Sequence, residues 1–162
     1  MADTLLVTGA AGFIGANFVH YWLRCPPEDR VIAYDALTYA GNRASENFEF
    51  VEADIRDEDR VTQLLRDRGI NRIVHFAAES HVDRSISGPD AFIDTNIVGT
   101  HSLLKAARNV WLQGDGMAHR FHHVSTDEVY GSLRLDDPGF YEDQQYQPNS
   151  PYSASKAASD HL

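Results

Sequence analysis

A doubly wound α/β fold around a parallel sheet is the architecture this sequence predicts, and three observations predict it. Short apolar blocks alternate with longer one-sided helical stripes, which implies parallel strands joined by right-handed crossovers. Glycines at positions 9, 12 and 15 fill the junction between the first block and the first stripe. Asp35 closes the second block, 20 residues after Gly15. Together these point to a Rossmann-type sheet of order 3-2-1-4-5, with its site along the carboxyl ends of the strands.

The elements follow in order. Leu5-Leu6-Val7 reads as a buried strand, followed by the glycine turn and a helix from about Phe13 to Arg24. Cys25-Pro26-Pro27 ends that helix, because proline neither donates to a helix nor fits its interior. Val31-Ile32-Ala33-Tyr34 is the second strand and Phe48-Glu49-Phe50-Val51 the third. Val61, Leu64 and Leu65 mark one face of a helix closed by Gly69. Ile73-Val74-His75-Phe76 is the fourth strand. Ile93, Ile97, Thr100, Leu104, Ala107 and Trp111 alternate steps of four and three, the stripe of one long helix. Phe121 to Ser125 is the fifth strand. Ser132 to Ser150 is a long polar loop, and such loops are often functional. A last helix begins near Pro151, where proline suits the first turn.

Composition narrows the function. Twenty-four acidic against fourteen basic side chains leave a net charge of −10. Nucleic-acid and anionic-membrane partners need clustered Lys and Arg, so neither is expected. The 43% hydrophobic and 23% charged content is that of a globular chain. Leu5 to Leu23 lacks charge, but its three glycines favour strand, turn and helix over a membrane span. Met-Ala-Asp lacks the positive lead-in of a signal peptide. Cys25 is the single cysteine, which excludes an internal disulfide and suggests a reducing, cytoplasmic setting.

The motifs lie at strand ends. In Thr8-Gly9-Ala10-Ala11-Gly12-Phe13-Ile14-Gly15, glycine lets backbone N–H groups approach a pyrophosphate that a Cβ would hold off. Asp35 can accept from both ribose hydroxyls and would repel a 2′-phosphate, which favours NAD over NADP. Asp54, with Ile55, is either an adenine contact or a helix cap before Arg56-Asp57-Glu58. The segment 76–85 carries two alanines that allow close packing over a cofactor, then a run of polar residues. Tyr152 and Lys156 share a helix face four residues apart. A phenol titrates near 10 in water, and a neighbouring cation lowers that value. Thr126, Asp127 and Glu128 follow the fifth strand. Thr126 can hydrogen-bond a substrate hydroxyl, and the two carboxylates are either an acid and a base or simple turn caps. His119, His122 and His123 raise a metal question, but ordinary strand residues account for them and no metal is expected.

These segments resemble the extended short-chain dehydrogenase/reductase family, and within it the nucleotide-sugar 4,6-dehydratases. TGAAGFIG (8–15), YDALTYAGN (34–42), HFAAESHVDRSI (75–86), TNIVGT (95–100), HVSTDEVYGS (123–132) and PNSPYSASKAASDHL (148–162) carry the resemblance. The acidic pair at 127–128 is its most specific part, because related 4-epimerases lack it. The resemblance implies an NAD-dependent lyase acting on a nucleotide-diphosphate sugar. Oxidation at C4, aided by Tyr152, Lys156 and Thr126, acidifies C5. Glu128 then removes the C5 proton, Asp127 protonates the departing C6 hydroxyl, and the hydride returns to C6. It also implies that Gly9, Gly12, Phe13, Ile14, Gly15, Asp35, Leu37, Thr38, Asp54, Ile55, Ala77, Ala78, Ser80, Thr95, Tyr152 and Lys156 line the cofactor, with Ser80 and Thr126 shared with substrate. Family members continue about as long again, with further strands and a substrate-binding carboxyl-terminal region, and are homodimers. Residues 1–162 are therefore expected to be an incomplete cofactor domain, inactive alone. The rivals are another nucleotide-sugar dehydratase, a 4-epimerase, or a non-catalytic NAD-binding module.

Overall fold

The structure, a computed structural model, describes residues 2–24, 28–38, 48–113 and 118–162. Five parallel strands form one sheet: β1 (Thr4–Thr8), β2 (Arg30–Asp35), β3 (Glu49–Glu52), β4 (Arg72–His75) and β5 (Arg120–His123). Their order is β3-β2-β1-β4-β5, as the alternation predicts. The winding reverses between β1 and β4, so a crevice opens at their carboxyl ends. There Thr8 lies opposite Tyr34 of β2 on one side and His75 of β4 on the other.

Alternation along β1 builds the core on both faces. Leu5 and Val7 pack with Val31, Ala33 and Val19 of α1 (Phe13–Trp22). Leu6 faces the opposite layer with Ile32, Tyr34 and Ile73, against α2 (Glu58–Arg68) and the helix preceding β5. Asp57 caps α2 by accepting from the Arg60 amide at 3.0 Å, and Gly69 closes it in the left-handed conformation at φ 60°. The cap reading of Asp54 is thereby corrected. Its carboxylate instead accepts from the Arg56 amide at 2.9 Å, two residues along, in an Asx-type turn. Helix α1 ends at Trp22, and the Cys25-Pro26-Pro27 stop lies outside the described residues.

Two expectations change in the 80–111 region. The strand-end loop contains a short helix, α3 (Val82–Ser87), in which the Ser85 hydroxyl donates to the Val82 carbonyl at 2.6 Å. The long helix is continuous but not uniform: α4 (Asp90–Phe92), a π-helical stretch Ile93–Gly99, and α5 (Thr100–Trp111). Its buried face includes Phe92, Asn96, Gly99, Thr100, Leu103, Ala106 and Ala107, so Thr100 and Ala107 of the expected stripe are buried. Ile93 is exposed, and Phe92, Asn96 and Leu103 take the places expected of Ile93, Ile97 and Leu104. Small and polar residues occupy its middle, at Asn96, Gly99 and Thr100, where the backbone comes close to its neighbours. A Cβ on Gly99 would lie 2.5 Å from Ile55 Cδ1. The last helix, α6 (Pro151–Asp160), packs on the π-helical stretch and α3. No helix among the described residues is long and apolar enough to cross a membrane.

Candidate active site

The crevice is a cleft of about 690 Å³ at the carboxyl ends of the strands. Its floor is the glycine turn. Gly9 has φ 68°, and a Cβ there would sit 2.6 Å from the Ala77 amide nitrogen. A Cβ on Gly15 would sit 2.1 Å from the Gly9 carbonyl oxygen. These backbones touch because side chains are missing. No side chain caps α1 at Gly12, and its first turn carries no acidic residue. The free N–H groups of this helix start favour an anion.

Asp35 is built into the same turn. Its Oδ2 accepts from the Ala11 amide at 2.9 Å and its Oδ1 from the Leu37 amide at 2.8 Å. Each oxygen retains a second acceptor direction, enough for a pair of hydroxyls. Leu37 takes a positive φ of 49° and turns its amide inward; alone among the expected cofactor residues, it does not line the cleft. Gly12, Phe13, Ile14, Thr38, Asp54, Ile55, Ala77, Ala78, Ser80, Thr95, Tyr152 and Lys156 all do. Phe13 and Ile14 are exposed at its mouth, apolar surface available to a ring.

The catalytic candidates meet at the other end. Tyr152 and Lys156 reach the cleft from α6, and Lys156 Nζ donates to the Val124 carbonyl at 2.7 Å. Thr126 begins the 3-10 turn Asp127–Tyr130, which packs on α6, and accepts from the Glu128 amide at 3.3 Å. Thr126, Asp127 and Glu128 stand beside the cleft rather than in its wall. In the chain alone the pKa of the Tyr152 phenol is raised, not depressed. Burial and the nearby charges of Glu128, Asp127 and Asp160 push the phenol up, against the opposing influence of Thr126. Burial also pushes the Lys156 ammonium down.

Several residues here escape sequence reasoning. Arg56 holds Asp54 through Nη2–Oδ2 at 2.6 Å, and this hydrogen bonding keeps the Asp54 carboxyl below its usual range. Asn96, 1% exposed, accepts from the Glu79 amide at 2.8 Å and donates to the Glu79 carbonyl at 2.9 Å. It also donates to Ser155 at 2.8 Å, tying the segment after β4 to α6. His75 is buried between Thr8 (2.6 Å from Nδ1) and Thr100 (3.0 Å from Nε2). The Thr100 hydroxyl donates to the Asn96 carbonyl at 2.6 Å, so it can only accept from His75. Nε2 therefore carries the proton, Nδ1 accepts from Thr8, and the Thr8 oxygen accepts from the Ala77 amide at 3.4 Å. Only a neutral ring fits that chain, and burial holds its pKa well below the ordinary histidine value. An i, i+25 pairing of this kind leaves no periodic mark. Among the described residues no three His, Cys, Asp or Glu side chains are grouped to hold a metal ion.

Residues 6–162 match the GDP-mannose 4,6 dehydratase family. The chain belongs to that family. It is 49% identical to dTDP-glucose 4,6-dehydratase 1 of Escherichia coli K12, over 98% of this chain and 48% of that protein. A dTDP-glucose 4,6-dehydratase from Streptomyces venezuelae, crystallised with NAD and TYD, superposes with a TM-score of 0.87 at 48% identity, over 98% of this chain and 49% of that one. A UDP-glucose 4-epimerase from Thermus thermophilus, in complex with NAD, gives 0.86 at 30% identity, over 98% and 49%. Fold alone does not separate the two activities, since the TM-scores are nearly equal; sequence identity favours the dehydratases. The chain spans about half the length of the relatives it matches.

Proposed function

We propose that the protein to which this chain belongs is an NAD-dependent lyase converting dTDP-glucose to dTDP-4-keto-6-deoxyglucose. The observation that carries the reading is the packing of the Asp127–Tyr130 turn on α6, which sets Thr126, Asp127 and Glu128 beside the helix bearing Tyr152 and Lys156. A 4-epimerase needs no second acid and base, and this turn supplies both. The cleft suits NAD: the Gly9–Gly15 cradle admits a pyrophosphate at the start of α1, and Asp35 keeps acceptor capacity for a ribose diol. Asp54 and Ile55 lie where an adenine would rest, and Ala77, Ala78 and Thr95 would flank the dinucleotide.

Bound NAD would supply a hydride acceptor for C4, the hydride returned to C6 after water has left, and a cationic ring that favours the Tyr152 phenolate. Tyr152 and Thr126 take up the proton of the sugar C4 hydroxyl, with Lys156 fixing the helix face against Val124. Once C4 is a ketone, Glu128 removes the acidified C5 proton and Asp127 protonates the C6 hydroxyl as it leaves as water. Ser80, exposed at the cleft rim, is shared with the substrate. The test is product analysis on the longer chain supplied with dTDP-glucose and NAD. A 4-keto-6-deoxy product supports the reading, and a C4 epimer refutes it. Glu128→Gln should abolish solvent deuterium incorporation at C5, a loss of about 10²–10⁴-fold. Labelling at the wild-type rate would assign the base elsewhere.

A further inference from the structure

The working face of α6 continues past the two residues used above. Tyr152, Lys156 and Asp160 follow one another at intervals of four, so they stack along one side of the helix. Each meets the segment that leaves β5. Tyr152 faces Thr126, Lys156 Nζ donates to the Val124 carbonyl at 2.7 Å, and the Ser125 hydroxyl donates to Asp160 Oδ2 at 2.5 Å. Asp160 reaches two further groups. His123 Nε2 of β5 lies 3.1 Å from its Oδ1, and the Tyr146 hydroxyl of the long loop donates to Oδ2 at 3.2 Å.

The Asp160 side chain is only 10% exposed. A carboxylate so placed is costly unless donors surround it. Burial works to raise its pKa, but His123, Ser125 and Tyr146 outweigh that and hold it below the usual range. The opposite effect falls on Tyr146, whose phenol is pushed up to about 12 by burial and by Asp160. Asp160 is thus an anion at neutral pH, its Oδ2 fixed by two hydroxyl donors from two different segments, with His123 Nε2 3.1 Å from its Oδ1.

We infer that Asp160 is a positioning residue that latches residues 123–126 onto α6 and so keeps Thr126, Asp127 and Glu128 in register with Tyr152 and Lys156. The inference rests on the proposed function only in regarding those five as proton-handling groups. A second consequence follows from charge. Burial depresses Lys156, and Asp160 is the carboxylate that counters it. His75 of β4 faces the same ammonium but is neutral. Tyr152, the other neighbour on α6, feels Asp160 together with Glu128 and Asp127.

The test uses the 162-residue chain without substrate, so a failed dehydratase assay would leave it standing. Asp160→Asn keeps the shape and an acceptor oxygen but removes the charge; Ser125→Ala removes the 2.5 Å bond and leaves the charge. Lys156 is followed by NMR titration of its side chain, and the turn by amide exchange at Glu128, Val129 and Gly131, which bond within it. Asp160→Asn should move the Lys156 midpoint to lower pH, whereas Ser125→Ala should not. Both should speed exchange in the turn at least about tenfold, the loss of one hydrogen bond to a charged group. An unmoved Lys156 midpoint in Asp160→Asn, or unchanged exchange in Ser125→Ala, overturns the inference. If Asp160→Asn fails to fold, exchange in Ser125→Ala decides alone.

Discussion

Gly9 in the floor of the cleft and the buried His75 beside Thr8 act by opposite means, one needed for the side chain it lacks and the other for the proton it refuses. Gly9→Ala places a methyl 2.6 Å from backbone at Ala77 and forces a side chain into φ 68°. Backbone cannot rotate away as a side-chain tip can, so strain and overpacking add. A cost of about 2–4 kcal/mol is expected by urea denaturation, with NAD binding lost. For His75 the linkage sign is fixed by its hydrogen bonds. The folded ring titrates well below the ordinary value of 6.5. As pH falls through that value, the unfolded chain binds a proton that the folded chain excludes. Stability is therefore full above about 6.5 and declines below it, by at most about 1.4 kcal/mol per pH unit, until the folded pKa is reached. His75→Gln should be less stable at neutral pH yet flatter between pH 6.5 and 5. Parallel profiles for the two chains would show that His75 does not carry this pH dependence.

Helix α6 shows what a short element requires. Ten residues form a marginal helix in water, so its ends and its packing must supply the stability. Ser150 and Ser153 form a capping box: each hydroxyl accepts from the other's amide at 3.0 Å. Ser150→Ala should cost about 1 kcal/mol in a thermal or urea melt. The same comparison shows what the sequence makes legible. The strands, α1, α2 and the start of α6 are marked by local signals: apolar blocks, glycines at a turn, a left-handed Gly69, proline at a first turn. Helix α3 is not marked, because Val82–Ser87 is short and polar and is steadied by the neighbouring clamp of Asn96 on Glu79. The π-helical stretch is also hidden, since no residue pattern separates it from α-helix and its buried face is Asn96 and Gly99 rather than aliphatic. The cofactor wall was readable because close backbone approach demands glycine and alanine at fixed places. Arg56, His75, Asn96 and Asp160 were not, because each acts through a partner that only the fold brings near.

At the scale of the molecule, the cleft divides the proposed work unevenly. Every expected cofactor residue except Leu37 lines it, whereas Thr126, Asp127 and Glu128 stand at its side. The relatives are about twice as long as this chain. Under the proposed function a dinucleotide would meet most of its expected lining in these residues, while a sugar would meet only the Thr126–Glu128 side. Holding reacting groups in near-attack geometry can supply about 7–11 kcal/mol of a barrier, and one wall does not confer it. The 162-residue chain should therefore bind NAD in a calorimetric titration and release no keto sugar from dTDP-glucose. NADP should bind more weakly by about tenfold or more, because its 2′-phosphate would face the Asp35 carboxylate. Tighter binding of NADP would mean that Asp35 serves the turn alone, through Ala11 and Leu37, and not the ribose. Turnover at the rate of the longer relatives would mean that Tyr152 and Glu128 can orient the sugar without a second wall, and that the geometric argument fails.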